Sequence, residues 1–190
     1  MTDASLAEPE SRLDFDAMPR LGDIAAYHAR RTPEKIAIRF EGRETSWAEL
    51  DANANRVANA LLAEGLEPGD RISFVGKATD TFCELMFGAA KAGIVLVPAQ
   101  WRLATAEIGF VFSDSEVSMI FLAADQFDRA ETYCGIPGVR KCIALEAGSS
   151  LPAFAEWRDA APDTPPDVEV ETGDPAIQLY TSGTTGRPKG

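Results

Sequence analysis

Arg71-Ile-Ser-Phe-Val75, an apolar run from Thr81 to Ala92, Gly93, and Ile94-Val-Leu-Val97 closed by Pro98 together decide the fold. Two short, nearly continuous apolar segments flank a run of helical length, which is the pattern of a strand–helix–strand unit with the strands parallel and buried on both faces. Gly93 supplies a stop for the helix, and Pro98 is expected to end the second strand.

The same alternation extends in both directions. Upstream, Leu21 to Arg31 spaces its apolar residues as a helix does, ending at Thr32-Pro33. Ile36-Ala-Ile-Arg-Phe40 predicts a strand with a hairpin turn at Glu41-Gly42-Arg43. Ser46-Trp-Ala-Glu49 has the spacing of a capping box and opens a helix through Leu50, Val57, Leu61 and Leu62 to Gly65. Downstream, helices are expected over Thr105 to Phe112, Asp125 to Tyr133 and about Leu151 to Arg158. Strands are expected at Ser118 to Leu122, Cys142 to Leu145 and Ala176 to Tyr180. The fold class is therefore α/β, a mainly parallel sheet with helices on both faces.

The chain has 190 residues and a net charge of −12. Nine of those excess negative charges lie in two places, an acidic tail over 1–19, expected to be flexible, and a Pro-rich connection over 162–174. The remaining residues, 20–161 and 175–190, carry only −3 and are close to balanced. This argues against nucleic-acid binding, which needs clustered positive charge. The first 19 residues carry no apolar stretch and resemble neither a signal nor a transit peptide, and Leu85 to Ala99 is too short and too interrupted to span a bilayer. Three cysteines, Cys83, Cys134 and Cys142, without a C-x-x-C pair, are read as reduced packing residues of a cytoplasmic protein. The single histidine, His28, is read as a solvated surface residue. Asp70, Glu84 and Asp114 are read as caps or solvated faces, and no metal ligand set is expected.

The chemistry concentrates in Tyr180-Thr-Ser-Gly-Thr-Thr-Gly-Arg-Pro-Lys-Gly190. Gly183 and Gly186 let the backbone turn so that several amides face one point. Thr181, Ser182, Thr184 and Thr185 add neutral donors, and Lys189 adds a mobile positive charge. The combination suits a polyphosphate. A Walker loop fails on spacing, because Pro188 stands five residues after Gly183 and Gly190 follows the lysine. A dinucleotide fingerprint fails because only G-x-x-G is present, and a Ser-Lys hydrolase lacks S-x-x-K. A flexible surface loop would account for G-T-T-G but not for all eleven residues.

Thr181-Ser-Gly-Thr-Thr-Gly-x-Pro-Lys-Gly190 resembles the ATP-phosphate loop of the adenylate-forming (AMP-binding) enzymes, which include acyl-CoA synthetases, peptide-synthetase adenylation domains and luciferases. Phe87-Gly-Ala-Ala-Lys-Ala-Gly-Ile-Val-Leu-Val-Pro98 with Gln100-Trp-Arg-Leu103 is similar to a second stretch of that family, with Gln100 where asparagine is usual. With Gly76-Lys77, the pattern looks most like bacterial fatty-acyl-CoA synthetases. The resemblance implies that a carboxylic acid, ATP, Mg2+ and coenzyme A are the reactants, with an acyl-adenylate between the two steps. It also implies that Thr181, Ser182, Gly183, Thr184, Thr185, Gly186 and Lys189 hold the ATP phosphates, Lys189 acting electrostatically. The family's acidic magnesium ligand, ribose-binding aspartate and mobile-domain lysine lie downstream in relatives. The 20–190 body is thus expected to be the N-terminal part of the AMP-binding domain, ending at its phosphate loop and inactive alone, with no catalytic residue of its own. Alternatives are an aryl-CoA ligase, a peptide-synthetase adenylation domain, or a non-catalytic nucleotide-binding module. A fatty-acyl substrate partitions into bilayers, which leaves peripheral membrane contact as an option, although no stretch forms a basic amphipathic helix. No signal for an oligomeric state is present.

Overall fold

The computed structural model describes residues 14–182 and 188–190. Helix α1 (Asp23–Arg31) leads into a hairpin of β1 (Ile36–Phe40) and β2 (Arg43–Ser46), whose turn holds Glu41 and Gly42 at positive φ. Helix α2 (Trp47–Ala63) begins at Ser46. The Ser46 hydroxyl accepts the Glu49 N–H, and the Glu49 carboxylate accepts the Ser46 N–H, the expected capping box.

The decisive stretch forms β3 (Arg71–Val75), α3 (Asp80–Lys91) and β4 (Val95–Ala99), with β3 and β4 parallel and in register. Next come α4 (Thr105–Asp114), β5 (Val117–Leu122), α5 (Ala130–Cys134), β6 (Lys141–Ala144) and α6 (Phe154–Asp159). The parallel sheet has the order β4-β3-β5-β6. Alternate residues of each strand face opposite cores. Ile72, Phe74, Met119, Phe121 and Ile143 pack with Val57, Leu61, Leu85 and Phe154 on one side. Val75, Val97, Ile120 and Leu122 pack with Ile108, Val111, Phe112 and Tyr133 on the other. Each fully buried Leu, Ile or Phe contributes about 1.5–3 kcal/mol relative to exposure. No helix among the described residues is long and apolar enough to cross a membrane.

Helices α2 and α3 meet at Gly88. A Cβ there would stand 2.5 Å from Val57 Cβ and 2.8 Å from the Ala54 carbonyl oxygen, so only glycine permits the approach. Beside this contact a polar seam joins α2, α3 and α6. Arg158 Nη1 reaches Glu84 Oε2 at 2.6 Å, and Asn53 Nδ2 donates to Glu84 Oε1 at 2.8 Å. Glu84 is therefore a buried, paired carboxylate rather than a cap or a solvated residue. Asp70, half-exposed, receives the Glu67 N–H and pairs with Arg140.

Several expectations are corrected. Strand β4 runs through Pro98 to Ala99 instead of ending before it. The N–H and C=O of Leu96 point to the outer side of β4, so the missing N–H of Pro98, two residues on, also faces outward and costs no bond to β3. Residues 176–180 form no strand; they meet β4 only through Leu96 N–H to the Ala176 carbonyl and Gln178 N–H to the Leu96 carbonyl. The next rung would need an N–H at Pro98, and none exists. The helix expected over 125–133 is a 3-10 turn, Ala124–Arg129, followed by the short α5. His28 is not a free surface residue: its ring stacks on Trp47 with centroids 4.4 Å apart. Cys134 and Cys142 are joined by a disulfide, with Cα atoms 6.0 Å apart; only Cys83 is a free thiol. The end of α5 lies against β6, which brings two cysteines eight residues apart into bonding range.

Of the tail expected over 1–19, residues 1–13 lie outside the described residues. Phe15–Ala17 forms a 3-10 turn capped by the Asp14 carboxylate. The acidic connection, 162–174, crosses α2 as a strap. Asn59 donates to the carbonyls of Pro162 and Thr164, Asn55 to that of Asp163, and Arg56 pairs with the Asp163 carboxylate. Arg20 then holds the Val170 carbonyl at 2.8 Å. These bonds return the chain to the rim of the sheet beside β4.

Candidate phosphate-loop site

At that rim Tyr180 anchors the start of the motif. Its hydroxyl donates to Asp114 Oδ2 at 2.6 Å and accepts from Gln178 Nε2 at 3.3 Å. Asp114, read earlier as a cap or solvated face, thus ties the end of α4 to the motif. Burial, then the Asp114 carboxylate, push the Tyr180 phenol up to about 12 from its ordinary 10. The folded chain holds this proton more tightly than the unfolded chain. The associated stability is therefore fully present below pH 10 and is lost as pH rises from 10 to 12. In a phenolate absorbance titration one tyrosine should ionise near pH 12, and Tyr180→Phe should remove that component. If the variant keeps it, the Asp114 contact is not the cause.

After Tyr180 the chain forms a two-rung antiparallel hairpin of β7 (Thr181–Ser182) and β8 (Pro188–Lys189), with Thr181 opposite Lys189 and Ser182 opposite Pro188. The Thr181 hydroxyl lies 3.5 Å from the Lys189 carbonyl, at the long limit of a hydrogen bond. A Cβ on Gly190 would stand 2.5 Å from the Tyr180 ring, so the end of the hairpin lies flat on the anchoring tyrosine. Of the predicted phosphate-holding residues, the structure brings together Thr181, Ser182 and Lys189 at the stem; Gly183, Thr184, Thr185 and Gly186 lie outside the described residues. Thr181 and Lys189 are exposed, and Lys189 makes no ion pair among the described residues. A stem that sets an exposed lysine opposite an exposed threonine offers a positive charge and a hydroxyl to an anionic ligand.

The loops after β3 and β4 form a second cluster. Lys77 Nζ lies 5.1 Å and the Arg102 guanidinium carbon 4.2 Å from the centre of the Trp101 ring. Val75 pairs with Ala99, so residues just past two adjacent parallel strands meet. Strand adjacency was the signal that could have joined Lys77 to Trp101, and the sequence reading did not use it. Gln100 is exposed and its carbonyl closes the turn by accepting the Leu103 N–H. Beyond the ends of β3, β5 and β6 lies a crevice of about 440 Å³ bordered by Arg43, Lys77, Asp80, Asp125 and Glu146. Adjoining strands β3 and β5 feed crossovers that leave in opposite directions, and such a point in a parallel sheet opens a crevice. Arg43 and Asp80 close one side as a two-pronged ion pair.

No group of three or more His, Cys, Asp or Glu side chains among the described residues is arranged to hold a metal ion.

The AMP-binding enzyme family model matches residues 25–190. The chain belongs to the AMP-binding enzyme family. This AMP-binding chain is 39% identical over 180 residues to the fatty acid–[acyl-carrier-protein] ligase ScoC of Streptomyces coeruleorubidus, covering 94% of the chain and 34% of ScoC. It is 37% identical over 170 residues to a feruloyl-CoA synthase of an Amycolatopsis species, covering 90% of the chain and 32% of that protein. A solved Mycobacterium tuberculosis fatty acyl CoA synthetase superposes with a TM-score of 0.81 at 29% identity, over 91% of the chain and 34% of that structure. The AMP-binding chain thus spans about a third of the length of the curated relatives it matches, and it resembles the N-terminal part of adenylate-forming acyl-CoA ligases.

Proposed function

We propose that the chain is the phosphate-loop-bearing part of an ATP-dependent acid–thiol ligase, with a fatty acid as the acid and coenzyme A as the thiol. The reading is carried by the hairpin stem, which sets Thr181 against Lys189 at the end of a strongly patterned Gly/Thr loop. In the first step a carboxylate oxygen attacks the α-phosphorus of ATP and pyrophosphate leaves, giving an acyl-adenylate. In the second the thiol sulfur attacks the acyl carbonyl, AMP leaves, and a thioester remains. Charge crowds at phosphorus in the first step, so positioning and electrostatic stabilisation carry the catalysis. Amides and hydroxyls of Thr181, Ser182, Gly183, Thr184, Thr185 and Gly186 would hold the β- and γ-phosphates. Lys189 would balance charge building on the leaving pyrophosphate. Magnesium, when bound, neutralises phosphate oxygens.

The named activities of ScoC and of the mycobacterial synthetase support the fatty acid. The feruloyl-CoA synthase favours a second reading, an aryl acid, and ScoC favours a carrier-protein thiol as the alternative acceptor. We place the ligase in the cytoplasm and treat 20–190, with its strap at 162–174, as one unit following an acidic tail. In the ligase containing this chain, Lys189→Ala should slow ATP–pyrophosphate exchange about 10²-fold, the scale of removing one preorganised donor to developing charge. The circular dichroism spectrum should be unchanged. Exchange at the wild-type rate would remove Lys189 from the proposed role. A panel of fatty and aryl acids against coenzyme A and a carrier protein separates the readings.

A further inference from the structure

We propose that the Cys134–Cys142 pair is a site of reversible thiol–disulfide exchange that latches the outer edge of the sheet. Cys142 is the second residue of β6, 5% exposed and paired with Ile120 of β5. Beyond this pairing β6 has one isolated bridge, Ala144 to Ala153. Its partner Cys134 ends α5, a helix of five residues, too short to be stable by itself. What fixes α5 to the sheet is Tyr133, whose ring meets Phe112 edge-on at 5.3 Å, and the bond from Cys134 to the strand. The disulfide therefore joins the least self-supporting helix to a rim strand.

The two sulfurs differ in access. Cys134 is half-buried and Cys142 is buried. An incoming small thiolate meets Cys134 first: its sulfur bonds to Cys134 Sγ, the S–S bond breaks, and Cys142 leaves as a thiolate that takes up a proton. A second small thiol attacks the mixed disulfide at the sulfur derived from the first. Cys134 is released as a thiol, and one small-molecule disulfide is the product. Two protein thiols form for two small thiols oxidised, and the reverse sequence, driven by a small disulfide such as oxidised glutathione, reseals the latch. Cys83 does not compete. It lies on α3, half-buried, and burial followed by the charges of Asp80 and Glu84 push its thiol up, away from the nucleophilic form.

Opening the latch is a local event. Gly135 N–H still bonds to the Glu131 carbonyl, Ile136 N–H to that of Tyr133, and Arg140 N–H to that of Ser118. The strand that loosens continues into Leu145 and Glu146, whose carboxylate accepts the Ala124 N–H at 2.8 Å on the border of the crevice with Lys77 and Asp80. The redox state of the pair thus acts on the end of the sheet where the loops converge.

The test uses the purified chain equilibrated with oxidised glutathione or with dithiothreitol, acid-quenched, then alkylated in denaturant and weighed. One added alkyl group is expected in the first sample and three in the second. Closing a loop of this size by a disulfide should raise Tm by about 5–10 °C over the reduced chain. Amide exchange over 141–146 should quicken on reduction, and Cys134→Ala should be indifferent to dithiothreitol. Three alkylated cysteines after oxidised glutathione, a disulfide involving Cys83, or a Tm indifferent to reductant in the wild-type chain would each overturn the proposal. The wild-type comparison decides the matter even if the variant fails to fold.

Discussion

Arg158→Ala should cost the chain about 3 kcal/mol, seen as a fall in Tm of about 6–12 °C, because it leaves the Glu84 carboxylate buried without its cation. The side chains of Arg158 and Glu84 are only 18% and 10% exposed, so solvent cannot replace the lost partner. Asn53 would remain as a single neutral donor. The guanidinium also lies 5.8 Å from the Phe154 ring centre, and its loss removes the contact between α6 and α3. The informative control is the double variant Glu84→Met with Arg158→Leu. Removing both charges leaves nothing unpaired, so the double variant should recover most of the stability lost in Arg158→Ala. If the single variant is as stable as wild type by chemical denaturation, or the double variant is less stable than the single, the seam is not held by this charge pair.

The second large effect is expected at Gly88. Alanine is favoured over glycine inside a helix by about 1 kcal/mol, so propensity alone predicts stabilisation. Packing predicts the opposite, since the new methyl would overlap Val57 and press on the Ala54 carbonyl oxygen. A backbone oxygen in the middle of α2 cannot step aside as a long side chain could. Separating α2 from α3 should outweigh the propensity gain and leave Gly88→Ala about 2 kcal/mol less stable than wild type. Val57→Gly in the same chain removes both the Cβ and the Cγ1 that the methyl would meet at 2.5 Å, so the double variant should be more stable than the sum of the two single effects. A stabilised Gly88→Ala would show that the helices have room to part.

The parallel sheet was legible because its evidence is local. Strands such as Ile72-Ser-Phe-Val75 are apolar on both faces, and glycines at positions 65 and 93 adopt the positive φ that ends a helix. What the sequence reading missed depended on partners far away in the chain. Pro98 ends a strand only if its nitrogen faces a neighbour, and here it faces outward. Glu84 reads as a surface acid until α6 brings Arg158 across to it. Cys134 and Cys142 gave no sign of pairing, because the turn between α5 and β6 alone decides whether they meet. His28 stacks on a tryptophan in the following helix, a contact that no helical periodicity announces. At the candidate site, the Gly/Thr/Lys motif marks the candidate phosphate-holding residues. Which two stand opposite each other at the stem is a matter of register that the motif does not encode.

The attachment of residues 176–178 to β4 has a mechanical consequence. The chain leading to the Thr181–Lys189 hairpin is held to the rim of the sheet by two backbone hydrogen bonds at Leu96, with Pro98 denying it a third. A pull directed along the loop would load those two bonds and the Tyr180–Asp114 contact one after another, as in peeling a strip of tape. A pull across the sheet would strain all the rungs of β3 and β5 at once. Segment 176–180 is thus a weaker attachment than the rungs within the sheet, and it would part first under such a load.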